Sequence, residues 1–287
     1  MDIPTITQSA RKLRLSGMTE SLEIRLQEAQ ANQLSHIEFL GLLLSDEIQV
    51  RNSRAIERRR KRAKFRELRS LEDFDFSFNT SIKRSQLYDL GTSQYIRDAR
   101  DVLFTGPPGV GKSHLAQALG NQAIKDGYNV IYTSIFDMVR DLREEAELPG
   151  EKSRLTKYLK CDLLIIDDMG IKPLPGVSGE YFFEIIMRRY ELRSTIMTSN
   201  RPLEEWGKLI GDVPAATAIL DRFLHNAELV QITGRSYRLK DRKKPKDDQG
   251  RCSAPQVNEG GIEATPEPAQ APKKTSAKSV EKVEKLD

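Results

Sequence analysis

Apolar residues recur at helical spacing through the first part of the chain, gather into short unbroken runs in the middle, and nearly vanish toward the end. Leu13, Leu15, Met18, Leu22, Leu26 and Ala29 fall on one side of a helix. Ser35-His36-Ile37-Glu38 has the Ser-x-x-Glu form of a capping box and precedes the run Phe39–Leu44, which predicts a second helix starting there. From about Asp73 to Arg242 the pattern changes. Strands are predicted at Val102–Thr105, Asn129–Thr133, Leu163–Asp167, Thr195–Ser199 and Leu229–Ile232, and helices at Ser113–Asp126, Ile135–Glu147 and Gly179–Arg189. Short runs such as Leu163–Ile166, apolar at every position, suit parallel strands covered on both faces. Five of them with crossover helices give an α/β fold, a three-layer core around a five-stranded parallel sheet. The chain thus divides into an N-terminal helical domain (1–70), an α/β core (71–242) and a tail (243–287) rich in Lys, Glu, Pro and Ala. That tail is expected to be disordered, since it has too little apolar surface to offset the entropy of ordering.

Composition adds limits. A chain of 287 residues can hold one sizeable core and an accessory domain, and its 38% hydrophobic content agrees with part of it being unpacked. Cys161 and Cys252 form no metal or redox pattern, so a reducing cytoplasm is the simplest compartment. No apolar run approaches the roughly 18 residues that span a bilayer, and Met1-Asp2-Ile3-Pro4 lacks the pattern of a signal peptide. No membrane association is expected. His36, His114 and His225 are too scattered for a metal site; Trp206 and Tyr181-Phe182-Phe183 are expected in the core.

Charge is concentrated. The net formal charge is +4, yet Arg51 to Arg69 contains ten Lys or Arg against two Glu, a local net of +8. Such a stretch attracts a polyanion, and DNA or RNA phosphates are the usual one. Arg54, Arg58, Arg59, Arg60, Lys61 and Arg62 are the candidate DNA contacts; a solvated face or a dock for an acidic protein is the alternative. Phosphate contacts position a protein without reading bases.

The candidate chemistry lies at the ends of the predicted strands. Gly106-Pro107-Pro108-Gly109-Val110-Gly111-Lys112-Ser113 is a complete Gly-x-x-x-x-Gly-Lys-Ser phosphate-binding loop between a strand and a helix that continues with His114. The glycines let backbone N–H groups turn inward on a β-phosphate, and the helix N-terminus points at the same place. Lys112 would reach the β- and γ-phosphates of ATP, and Ser113 would ligate Mg²⁺. The strand Leu163–Ile166 ends in Asp167-Asp168, at the edge where open α/β sheets bind ligands. Asp167 is the candidate Mg²⁺ contact through water, and Asp168 the candidate for orienting the attacking water; an Asp pair can also simply cap a strand. Thr198-Ser199-Asn200 closes a third strand, where the Asn200 amide could meet the γ-phosphate or that water. Phe74 and Phe76 are candidates for packing on adenine, with core packing as the alternative.

Taken together, these residues resemble the insertion-sequence transposition helper ATPases, the IstB-like group of the AAA+ class, relatives of the DnaC-like helicase loaders. The resemblance covers about residues 8 to 243. It is carried by Leu13–Met18, Glu38-Phe39-Leu40, Leu71–Phe76, Gly106–Leu119, Leu163–Gly170, Arg189-Tyr190-Glu191, Thr198-Ser199-Asn200, Glu205-Trp206-Gly207, Ile219–His225 and Gly234–Arg238. It implies an ATPase that forms an oligomer on duplex DNA with ATP and works with a cognate transposase in selecting the target. It also implies that Arg222 is an arginine finger presented to a neighbouring subunit, as against an Arg paired within its own helix, and makes Arg238 a weaker phosphate-sensing candidate. A replicative helicase loader and a non-catalytic ATP-gated scaffold are the alternatives. Where the family has Asp-Glu this chain has Asp167-Asp168, one methylene shorter, which implies slow hydrolysis. The family's Pro and Lys before Leu71 are also absent, with Arg66 and Ser70 near those places.

Overall fold

The computed structural model describes residues 2–147, 154–174, 178–210 and 213–240. The tail 243–287, including Cys252, lies outside the described residues.

Three helices open the chain: α1 (Ile3–Lys12), α2 (Ser16–Ala31) and α3 (His36–Ala63). The expected capping box begins α3, with the Glu38 N–H donating to Ser35 Oγ at 3.3 Å and the Ser35 N–H to Glu38 Oε2 at 2.8 Å. Helices α2 and α3 form an antiparallel pair. Arg25 bridges to Asp46 through two 2.8 Å hydrogen bonds, and the start of α2 rests on Glu47. The approach is close enough that a Cβ on Gly17 would lie 2.7 Å from the Glu47 Cα, so no larger residue fits without moving α2. The far end of α3 reaches the α/β region, where Ala63 is buried and Phe65 packs against the same apolar cluster as Leu115 and Leu119.

Two short helices, α4 (Arg84–Gly91) and α5 (Gln94–Arg97), lead into β1 (Asp101–Thr105) and α6 (Lys112–Lys125). There follow β2 (Val130–Ser134), α7 (Ile135–Glu147), α8 (Arg154–Lys160), β3 (Leu163–Met169), α9 (Ser178–Arg189) and β4 (Ser194–Ser199). The last elements are α10 (Trp206–Ile210), α11 (Val213–His225) and β5 (Ala227–Gln231). All five strands pair in parallel, in the order β2-β3-β4-β1-β5.

Alternation along the strands builds the three layers. Val102, Phe104, Leu163 and Ile165 face one cluster with α6 and the end of α3; Leu103, Leu164, Ile166 and Met197 face another with α7, α9 and α11. The five predicted strands and the three helices predicted between them are present, with ends displaced by up to two residues. The largest displacements are at the end of β3, which runs on to Met169, and at the start of β5, which begins at Ala227 because it pairs with β1 from Asp101 onward. The helical face predicted from Leu13 to Ala29 is cut at its start: Leu13 and Leu15 lie in the turn between α1 and α2, where Arg14 has a positive φ of 58°, and Leu13 is exposed. Trp206 and Phe182 are fully buried, as expected, and Tyr181 and Phe183 pack beside them. Among the described residues no helix is long and apolar enough to cross a membrane, and no His, Cys, Asp and Glu cluster suits a metal ion.

Candidate nucleotide site

The loop between β1 and α6 is shaped by its glycines. Gly109 and Gly111 have φ of 83° and 106°, and a Cβ on Gly111 would lie 2.6 Å from the Phe74 ring. Phe74 therefore packs directly against the loop, edge-on to His114 at 5.3 Å between ring centres. Both Phe74 and Phe76 are partly buried against the core. On the loop's other side, the Tyr237 N–H donates to the Gly109 carbonyl at 2.9 Å. The C-terminal segment that carries Ser236 and Tyr237 thus lies over the loop. Pro107 and Pro108 are exposed, while Val110 is buried and anchors the turn.

Lys112 is buried and donates to the Gly106 and Pro107 carbonyls, both at 2.8 Å. Burial pushes its ammonium down to about 8; the Arg238 charge adds to this and the Asp167 charge opposes it. A cation held only by carbonyls of its own loop, at a helix N-terminus, is ready to exchange those bonds for phosphate oxygens. His114 Nε2 lies 3.2 Å from the Ser70 carbonyl and donates to it, so this ring braces the segment before the core.

Asp167, with no exposed surface, is surrounded by donors. Ser113 Oγ donates to its Oδ1 at 2.9 Å, as do Thr198 Oγ1 and the Asp168 N–H, the latter at 3.0 Å. Tyr132 donates to Oδ2. Burial, with the Asp167 charge beside it, pushes the Tyr132 phenol well above its ordinary value and keeps it a donor. Ser113 and Asp167, joined in this way, offer two hard oxygens side by side. That donor set fits Mg²⁺, which takes one or two protein oxygens and completes its shell with water and phosphate.

Asp168 is turned differently. Its φ is 67°, uncommon outside glycine, and its N–H contacts Asp167 and Thr198 Oγ1. Its Oδ2 accepts from Arg66 Nη2 at 2.7 Å. Asn200 follows β4, its N–H bonded to the Met169 carbonyl at 2.9 Å and its side chain free of hydrogen bonds among the described residues. The Gly106 N–H bonds to the Ser199 carbonyl at 3.3 Å, so Asn200 and the loop share one sheet edge. Lys112, Ser113, Asp167, Asp168 and Asn200 are thus brought together.

Arg222 is not among them. It is exposed on α11, 3.3 Å from Asp221 and over the Tyr190 ring at 5.8 Å. Helix α11 ends just before β5, whose first residue pairs with Asp101 at the start of β1. Arg222 therefore lies toward the sheet edge opposite its own loop, roughly 13 Å of strand away. The candidate DNA contacts divide as well. Arg54 is bonded to Ser16 and Glu20, and Arg60 to Glu57 and Asn121, whereas Arg58, Arg59, Lys61 and Arg62 have no carboxylate partner among the described residues.

Sequence reasoning gave no role to Tyr132, Thr198, Arg66 or Ser236. Tyr132 and Thr198 left only a weak signal: each is a polar residue in a strand adjoining β3, but so are Thr133, Ser134, Ser194, Thr195 and Ser199. Arg66 left none, because 102 positions separate it from Asp168. Arg189, quoted above only as part of a motif, is buried and donates to the Tyr158 and Cys161 carbonyls at 2.7 and 2.9 Å and to Thr195 Oγ1 at 3.1 Å. It ties α8 to the sheet.

This strand order, with a phosphate-binding loop after β1 and an acidic pair ending β3, defines a P-loop nucleotide-binding protein of the AAA+ type. The fold is similar to the crystal structure of DnaI, with a TM-score of 0.50 and 21% identity over 57% of this chain and 91% of that one; the likeness is one of fold alone. Residues 8–245 match the IstB-like ATP binding protein family, and the chain belongs to it. It is 35% identical to a protein described as the ATP-binding protein of insertion sequence IS5376 from Geobacillus stearothermophilus, over 85% of this chain and 97% of that protein. It is equally 35% identical to one described as the ATP-binding protein of insertion sequence IS21 from Pseudomonas aeruginosa, over 81% and 88%.

Proposed function

We propose that this chain is an ATP-hydrolysing helper of a transposase, which assembles with ATP into an oligomer on duplex DNA and promotes target selection and transposition. The relatives named above belong to insertion sequences, which supports the link to a transposase. The observation that carries the reading is the placement of Arg222. A finger on the far sheet edge from its own loop is useful only to a neighbouring subunit, so turnover would depend on assembly.

In this reading Lys112 and the loop N–H groups hold the β- and γ-phosphates, and Ser113 and Asp167 hold Mg²⁺, which would neutralise phosphate charge. Asp168 orients the attacking water and Asn200 contacts the terminal phosphate or that water. Arg58, Arg59, Lys61 and Arg62 face DNA phosphates, and the exposed apolar residues Ile37, Leu40, Leu44 and Ile48 of α3 serve transposase or subunit contacts. The non-catalytic scaffold stays in view for one reason: Asp168 is short and engaged by Arg66.

ATP hydrolysis by the purified chain, with and without duplex DNA at several protein concentrations, tests the proposal. DNA stimulation that rises steeply with protein concentration is expected. ATP binding without turnover in any condition would favour the scaffold.

A further inference from the structure

Beside the nucleotide site is a cavity of about 320 Å³, bounded by the end of α3, the C-terminal part of β2, and α7 and α8. Arg62, Lys64 and Arg66 wall one side. The acids on the other side already have partners: Asp137 is bonded to Arg140 at 2.7 Å, and Asp141 to Lys157 and to Tyr158. Arg62 and Lys64 have none among the described residues, so the wall formed by the end of α3 carries uncompensated positive charge.

Arg66 belongs both to this wall and to the nucleotide site. Its neighbours in the chain are anchored: the Phe65 ring packs on Tyr132 at 6.0 Å between centres, and the Glu67 N–H donates to Gln117 Oε1 at 3.2 Å. The guanidinium lies over the Tyr132 ring at 5.9 Å, and Tyr132 in turn donates to Asp167. Held in this way, Arg66 reaches Asp168 and lines the cavity while its side chain remains 55% exposed. An ion pair with so open a guanidinium is weak and easily exchanged. A phosphodiester is the stronger competitor for it, because it offers the same paired oxygens together with Arg62 and Lys64 as neighbours.

We propose that Arg66 is a positioning residue that restrains Asp168 until a DNA backbone phosphate enters this cavity and takes over its guanidinium. The proposal rests on reading Asp168 as the group that orients water and the basic stretch as facing DNA. DNA then acts on hydrolysis through this side chain, at the junction where α3 meets the core, in addition to its effect through assembly.

The test is steady-state ATP turnover of the full chain, with and without duplex DNA, for the wild type, Arg66→Ala and Arg66→Lys, together with ATP affinity from a fluorescent ATP analogue. Arg66→Ala is expected to raise DNA-free kcat about two- to fivefold with KM for ATP unchanged, the range given by loss of an exposed ion pair. DNA should then stimulate it correspondingly less, Arg66→Lys should restore the restraint in part, and Lys64→Ala should raise the DNA concentration needed for half-maximal stimulation. DNA-free turnover of Arg66→Ala at or below the wild-type value, or undiminished stimulation by DNA, would overturn the proposal. Tight ATP binding with no turnover in wild type or variant overturns it along with hydrolysis; failure to bind ATP at all would unseat the reading of the site itself.

Discussion

Two buried carboxylates, one in the α2–α3 pair and one at the sheet edge, look alike by burial and differ in what holds them. Glu47 accepts the Gly17 N–H at 2.6 Å, the Met18 N–H at 3.1 Å and Arg51 Nε at 2.6 Å. Its partners are the orphan donors of the first turn of α2, so Glu47 caps that helix from across the interface. Burial pushes its carboxyl up, but Arg51 and the two N–H groups outweigh this and leave it below its ordinary value. Asp167 is as fully surrounded, yet three of its partners are the hydroxyls of Ser113, Thr198 and Tyr132, which can rotate toward another acceptor. Saturation alone does not separate a structural carboxylate from a candidate functional one. What separates them is whether the partners can be exchanged without unfolding anything.

The sharpest way to break that comparison is to remove charge from each side. Lys112→Ala should abolish ATP-dependent assembly on DNA, measured by sedimentation, with the fold intact; unchanged assembly would remove the loop from its assigned role. Arg222→Ala should leave ATP binding intact and lower turnover about 10³-fold or more, since a finger supplied in trans is worth about 10³–10⁵. A smaller loss that does not depend on protein concentration would return Arg222 to a pairing within its own helix.

Glu47→Ala should act in the opposite sense. Leaving two helix N–H groups unsatisfied costs about 1–3 kcal/mol, seen as a lower denaturation midpoint with ATP affinity retained. Loss of ATP affinity in a folded Glu47→Ala chain would show that the two sites are not separable.

The Lys112 ammonium sharpens the functional side. With its value near 8 in the nucleotide-free chain, the group is charged below that pH and neutral above it, and phosphate binding requires the charged form. ATP affinity should therefore fall as pH rises past about 8, by at most about tenfold per unit. Titrations between pH 7 and 9.5 should show this in the wild type and not in Lys112→Arg. Smallest per residue is the DNA effect. Neutralising Arg58, Arg59, Lys61 and Arg62 should weaken all duplex sequences alike and flatten the log–log salt dependence by about 0.9 per lost phosphate contact. Adding Arg54→Ala should change little, because that side chain is already bonded to Glu20 and Ser16. An unchanged slope would move the patch to protein docking.

Much of the fold was legible in local pattern. The α3 capping box, the five strand runs and the phosphate loop each lie within about ten consecutive residues, and the structure has all of them. Strand ends were less legible, because β5 begins where its partner β1 begins. Of the candidate site, the loop and the Asp167-Asp168 pair were readable from residue type and spacing. Of the donors to Asp167, Ser113 was readable from the loop motif, whereas Tyr132 and Thr198 were not, because other polar residues share their strands.

By itself, then, the sequence determined which segments curl, which extend and where a phosphate can be cradled, since periodicity, capping and glycine placement act within a few residues. Tertiary structure alone decided that Glu47 caps α2, that Arg66 reaches Asp168 and that Arg222 lies across the sheet from its own loop. Those relations join residues far apart in the chain, and they come from strand order and helix packing, which bring together side chains whose local sequence carries no mark of the partner.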